Sequence, residues 1–122
     1  MTARGRNLRK AGASGEDEAA RYLVTQGYRI LERNFRFHTM GEIDIIAEEG
    51  EDLVFCEVKT RWGDGYGLPE DAVTPAKQRT IRKIAAAYLA THGIRERPCR
   101  CDVVSIRRDG AASAITLFRN AF

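Results

Sequence analysis

Two short apolar runs, each interrupted by a carboxylate, limit what this chain can become. They are Gly41-Glu42-Ile43-Asp44-Ile45-Ile46-Ala47 and Leu53-Val54-Phe55-Cys56-Glu57-Val58-Lys59. Both carry apolar residues at odd and even positions, the pattern of a strand buried on two faces. The acidic stretch from Glu48 to Glu51 contains Gly50 and reads as a hairpin turn, so the two strands are expected to pair antiparallel. Alternation puts Phe55, Glu57 and Lys59 on one face of the second strand, and Val54, Cys56 and Val58 on the other. On the first strand, Glu42, Asp44 and Ile46 are expected to share a face. Burying an unpaired carboxylate or ammonium is costly, so something must compensate. A salt bridge from Lys59 to Glu57 or Asp44 on a solvent-facing strand is one answer. A divalent cation such as Mg²⁺, a hard ion that takes carboxylate oxygens, is the other.

The flanking sequence supplies the layers. Ser14-Gly15-Glu16-Asp17 reads as a helix start with Ser14 as its cap, running to about Gln26 and stopped by Gly27 in a left-handed conformation. Its apolar face is Ala19, Ala20 and Leu23, flanked by Tyr22, and one turn back along that face lies Glu16. A strand follows from Tyr28 to about Arg36, then the loop Phe37-His38-Thr39-Met40. After the two acidic strands, residues 61–73 read as a glycine-rich loop with Gly63, Gly65 and Gly67 around Trp62 and Tyr66. Trp62 suits either stacking on a base or lidding the core. Thr74 then caps a second helix with Pro75 in its first turn, a core stripe of Ile81, Ile84, Ala85, Tyr88 and Leu89, and Gly93 at its end. Two strands, Arg100 to Ile106 and Ala114 to Phe118, close the chain across Asp109-Gly110. The order is α-β-β-β-α-β-β: an α/β domain with a mixed central sheet flanked by helices, the second helix making a parallel crossover.

With 122 residues, 43% hydrophobic and 30% charged, one globular domain is expected over residues 14–122, preceded by a flexible basic arm over residues 1–13. No run approaches the length of a membrane span, and the charged N-terminus lacks the apolar segment of a secretory signal, so a cytoplasmic location is expected. Cys56, Cys99 and Cys101 are odd in number and lack zinc or redox spacing, so they read as buried or incidental thiols. The net charge is only +3, but it is unevenly spread. Arg4, Arg6, Arg9 and Lys10 crowd the arm, and Lys77, Arg79, Arg82 and Lys83 crowd the second helix. Glu42, Asp44, Glu48, Glu49, Glu51 and Asp52 oppose them. Cations in one place and phosphates in another fit this pattern, as does a solvated charged surface. Lys77 and Gln78 begin the inward face of the second helix, at the N-terminus where the dipole favours phosphate. Plain solvated first-turn residues fit that position equally. His38 and His92 have no ligand-spaced partner and read as surface residues. Asp102 reads as a structural hydrogen-bond acceptor.

Gly41-Glu42-Ile43-Asp44 followed by Phe55-Cys56-Glu57-Val58-Lys59-Thr60-Arg61 resembles the PD-(D/E)XK nuclease signature. Over roughly residues 12–122 the chain is similar to the YraN-like family of uncharacterised bacterial proteins, related to archaeal Holliday junction resolvases. The matching pieces are Gly15-Glu16-Asp17 with Tyr22-Leu23, Asn34-Phe35-Arg36, the two acidic motifs, Lys77 before Ile81, and Asp102-Val103-Val104. One departure is Ile43, where the motif has proline; that position is not a ligand. The resemblance implies a restriction-endonuclease-like fold. It also implies a divalent-metal-dependent endonuclease that hydrolyses phosphodiester bonds of structured or branched DNA. In that reading Asp44 and Glu57 ligate one or two Mg²⁺ or Mn²⁺ ions, with the Val58 backbone carbonyl and Glu16 completing the shell. Lys59 orients the attacking water or stabilises the transition state. Lys77, Gln78, Arg61, Trp62 and Arg82 are the expected nucleic-acid contacts. A homodimer fits a junction, which presents two scissile strands by symmetry. The alternative is a non-catalytic nucleic-acid-binding module that keeps the nuclease fold.

Overall fold

A computed structural model describes residues 15–63 and 73–122. The basic arm, the Ser14 cap and most of the glycine-rich loop lie outside the described residues. The elements run in the expected order: α1 over residues 15–25, β1 Arg29–Arg36, β2 Glu42–Glu49, β3 Asp52–Trp62, α2 Pro75–Thr91, β4 Cys99–Asp109 and β5 Ala112–Phe118. The strands form one sheet in the order β1-β2-β3-β4-β5. Only β3 and β4, the pair joined through α2, run parallel; the other neighbours are antiparallel. This is an α/β fold with a mixed sheet, in keeping with a restriction-endonuclease-like architecture.

Each helix covers one face of the sheet. Ala19, Ala20 and Leu23 of α1 pack on Ile45, Ala47, Val54, Cys56, Val104 and Ile106. Ile81, Ile84, Ala85 and Tyr88 of α2 pack on Ile43, Ile46, Leu53, Phe55, Cys101 and Val103. β3 is therefore buried on both faces, as its unbroken apolar run requires. The turns follow their chemistry. Gly27 stands at φ 95° after α1, where the Tyr28 amide donates to the Leu23 carbonyl at 3.0 Å. Thr74 caps α2 by accepting from the Lys77 amide at 3.2 Å.

Three local expectations are corrected. The glycine-rich loop does not begin at residue 61: Arg61 and Trp62 belong to β3 and pair with Arg107 and Arg108. The last two strands are longer than expected for the same reason, since backbone pairing carries polar residues into the ladder. Alternation also fails across Asp44. Ile43 and Ile46 enter the α2 core while Ile45 and Ala47 enter the α1 core, so Glu42, Asp44 and Ile46 do not share a simple face. On the partner strand Asn34 adopts φ 55°, and the β1–β2 register shifts between Ile30 and Glu32. Such irregularities bend and twist a strand pair, so a strict two-residue period no longer describes it.

A second polar network gathers around Asp102, whose partner across the β3–β4 ladder is Cys56. Asp102 is fully buried and accepts from the Tyr28 hydroxyl at 2.7 Å, the Arg100 Nε at 3.0 Å and the Asn120 amide at 2.9 Å. Arg100 goes on to Asp52 at 2.6 Å and to Glu49. With its oxygens engaged by three donors, Asp102 is a structural acceptor that ties β4 to β1 and to the chain end.

Candidate functional site

The β2–β3 ladder ends at the pair Ile45–Cys56, whereas β3 keeps pairing with β4 as far as Trp62. The sheet thus forks, and Asp44 fills the fork. The Val58 amide, which would serve the next rung, donates to Asp44 Oδ2 at 2.8 Å. The amide and carbonyl of one strand residue point to the same side, so the Val58 carbonyl also faces the fork. Gly41, at φ 133°, leads the chain into β2. A β-carbon there would stand 3.5 Å from Ile84 Cδ1 and 3.7 Å from Thr80 Cγ2 on α2, so the entry to the strand runs close along the helix.

α1 delivers Glu16 from the opposite layer. Gly15 is buried against β3, and a β-carbon on it would lie 2.7 Å from Thr60 Oγ1. Glu18 pairs with Arg108 of β4 at 3.1 Å, which pins the same end of the helix. From this docking, one oxygen each of Glu16, Glu42 and Asp44 lies within 4.8 Å of the others. Arg33 neighbours the group, 3.7 Å from Glu16 and 2.6 Å from Asp17.

Glu57 faces α2, and Lys59 follows it on the same face of β3 by alternation, near enough to act on its charge. Lys77 in the first turn of α2 reaches back to Glu57 Oε1 at 3.7 Å. Glu57 is 6% exposed, and its Oε2 is buried with no hydrogen-bond partner among the described residues. The cost of this crowding shows in the carboxyl groups. Burial above all, then Glu16 and Glu42, pushes Asp44 up to about 6 against the pull of the Val58 amide. Burial and then Asp44 push Glu57 up to about 7, while Lys77 and Lys59 pull it down. Several hard oxygens, one of them buried and unpaired among the described residues, are donors of the type a divalent cation takes. The residues therefore fit Mg²⁺ or Mn²⁺.

Of the expected site residues, Glu16, Asp44, Glu57, Lys59 and Val58 converge at this fork, and Lys77 joins them. The expected nucleic-acid contacts divide. Gln78 turns back to donate from Nε2 to the Val73 carbonyl at 2.9 Å. Trp62 is 67% exposed with the Arg108 guanidinium 5.8 Å from its ring, so it does not lid the core. Arg82 sits over the Phe122 ring at 5.8 Å, on a groove shared with Cys101 and Leu89 rather than with the acids. Arg61 is half-buried near the end of β3. His92 stacks on Tyr88 with ring centroids 4.0 Å apart, at the end of α2.

Glu42 is the residue that motif reasoning left out of the site. Its signal was present: it stands two positions before Asp44 on the same strand. It was masked because the motif names only one acid on that strand.

Comparison with known proteins accounts for most of the chain. The profile of the uncharacterised protein family UPF0102 matches residues 15–106. The chain is 50% identical over 116 residues to a UPF0102 protein of Symbiobacterium thermophilum, covering 93% of this chain and 97% of that one. It is 42% identical over 116 residues to a UPF0102 protein of Moorella thermoacetica, covering 93% and 96%. With a UPF0102 protein of Geobacter sulfurreducens it shares 53% identity over 95 residues, 78% of this chain and 73% of the other. The match takes in α1, both acidic strands and α2, and the chain belongs to the UPF0102 family.

Proposed function

We propose that this protein is a divalent-metal-dependent endonuclease acting on structured or branched DNA. The observation that carries the reading is the fork. There Glu16, Asp44 and Glu57 come from three elements, Lys59 and Lys77 stand beside them, and a buried carboxylate oxygen has no hydrogen-bond partner among the described residues. A bound Mg²⁺ or Mn²⁺ would activate water and neutralise charge building on a phosphate. Glu16, Asp44, Glu57 and the Val58 carbonyl would hold it. Lys59, on the same face as Glu57, would orient the attacking water and stabilise negative charge on the phosphoryl oxygens. Lys77, at the start of α2 and within reach of Glu57, would seat the phosphate beside the helix N-terminus. Arg61 and Trp62 would continue the contact along the strand of nucleic acid, the exposed indole stacking on a base.

No helix among the described residues is long and apolar enough to cross a membrane. DNA is the proposed partner because Lys77 stands beside the acids where a phosphate would sit, and a homodimer suits a branched substrate with two scissile strands.

The test is Mn²⁺-dependent cleavage of a panel of branched and linear DNAs, with Lys59→Ala as control. Cleavage of a branched member by the parent protein is expected, with a loss of at least about a hundredfold in Lys59→Ala. If the parent cleaves nothing yet binds DNA with an affinity that falls steeply with salt, the protein is a binding module instead.

A further inference from the structure

Trp62 is a large ring left in the open, 67% exposed, and the single tryptophan of the chain. It is nonetheless held in place. Trp62 pairs with Arg108 across the parallel β3–β4 ladder, and the Arg108 guanidinium carbon stands 5.8 Å from the ring centroid, within cation–π range. Arg108 is itself fixed, by Glu18 of α1 at 3.1 Å and by the Ser113 hydroxyl at 3.2 Å, and its side chain is only 18% exposed. The ring is braced from the protein side and keeps most of its surface in solvent.

The strand sets its place relative to the fork. Val58, which meets Asp44, and Trp62 lie four residues apart on β3. At about 3.3 Å per residue they are about 13 Å apart. Alternation puts Val58, Thr60 and Trp62 on one face, and the start of α1 docks at Thr60. Trp62 therefore stands just beyond α1, on the side from which Glu16 enters the site. The rungs Arg61–Arg107 and Trp62–Arg108 hold three arginines and no acid. An aromatic ring among arginines suits a base with phosphates on either side better than it suits an apolar protein surface.

A base inside a duplex has both faces covered by its neighbours, so an indole stacks only on a base outside the helix. We propose that Trp62, braced by Arg108, is a stacking platform for one unpaired base about 13 Å from the fork, so that the substrate is DNA with a single-stranded nucleotide beside the scissile phosphate. The inference rests on the nuclease reading given above and narrows its substrate: a branch with an unpaired arm is preferred over a fully paired one.

With a single tryptophan in the chain, intrinsic fluorescence reports on this ring alone. The experiment titrates the metal-free protein, in EDTA at low salt, with oligothymidylate and with relaxed circular duplex, which has neither ends nor unpaired bases. Filter binding gives the affinities. Saturable quenching is expected with the single strand and little with the circle. Trp62→Ala is expected to lose at least about fivefold more affinity for the single strand than for the circle, and Trp62→Phe to regain most of that difference. The ratio of the two affinities decides, since a fold weakened by the substitution lowers both alike. No binding of the single strand, binding without quenching, or equal losses of both affinities in Trp62→Ala overturns the proposal. Binding without quenching is the result that a ring facing a protein partner would give. The two readings fail separately. Quenching by single strands in a protein that cleaves no DNA sinks the nuclease reading alone. Equal cleavage of fully paired and unpaired branches, without quenching, sinks this one alone.

Discussion

Asp44 does two opposed things. Its carboxylate replaces a strand partner for the Val58 amide, which stabilises the fork. Its charge, buried beside Glu16 and Glu42, works against the metal-free fold. Asn keeps an acceptor for the amide and removes the charge. Asp44→Asn is therefore expected to raise the melting temperature of the metal-free protein at pH 8 by a few degrees, or about 1 kcal/mol. The same substitution should abolish any stabilisation by added Mn²⁺, since a ligand specific to the folded state stabilises only when its site is intact. Thermal melts in EDTA and in Mn²⁺ read both effects. A variant less stable than the parent in EDTA would mean that the carboxylate is needed by the fold itself. Asp102 shows the contrast: fully buried where Asp44 is half-buried, it is met by donors from Tyr28, Arg100 and Asn120.

At the level of elements, the site depends on how α1 lands. Gly15 leaves room for Thr60, and a methyl group there would meet the threonine hydroxyl at 2.7 Å. Gly15→Ala is expected to lift the start of α1, costing about 1–2 kcal/mol and weakening Mn²⁺ binding through Glu16. Adding Thr60→Ala removes the atom in the way and should restore most of both. Calorimetry and Mn²⁺ titration of the single and double variants check this, and a double variant no better than Gly15→Ala would disprove the steric account. The helix itself was legible in the sequence, because Ala19, Ala20 and Leu23 set its phase and brought Glu16 inward. So were the hairpin around Gly50 and the Thr74-Pro75 start of α2, where single residues dictate backbone geometry. The fork was not. It arises where β2 leaves the ladder while β4 holds β3 straight, and no local pattern in β2 records what β4 does to β3. The reach of β3 to Trp62 was hidden for the same reason: Arg61 and Trp62 sit in a strand because Arg107 and Arg108 lie alongside, 46 positions later in each case.

Over the whole molecule, the two carboxylate-rich regions have opposite roles. Away from the fork, Glu49 is clasped by Arg119 at 3.0 and 2.8 Å and by Arg100, and these hydrogen bonds hold its carboxyl down at about 2. A carboxyl with a folded value below its unfolded one binds fewer protons when folded. Its contribution is complete above about 4.5 and is lost as the pH falls toward 2. Glu49→Gln is expected to lower stability at neutral pH and to flatten the part of the acid-unfolding curve between those values. Denaturant melts across that range test it, and an unchanged acid limb would remove Glu49 from the account. The fork has a different consequence. Most strand amides are held by other strands and exchange with solvent deuterium only when the sheet opens. The amide of Val58 is held by the Asp44 side chain, so its exchange follows the state of one carboxylate and not the opening of the fold. The chain thereby carries its own spectroscopic reporter, a single backbone proton whose protection changes whenever that carboxylate takes another partner.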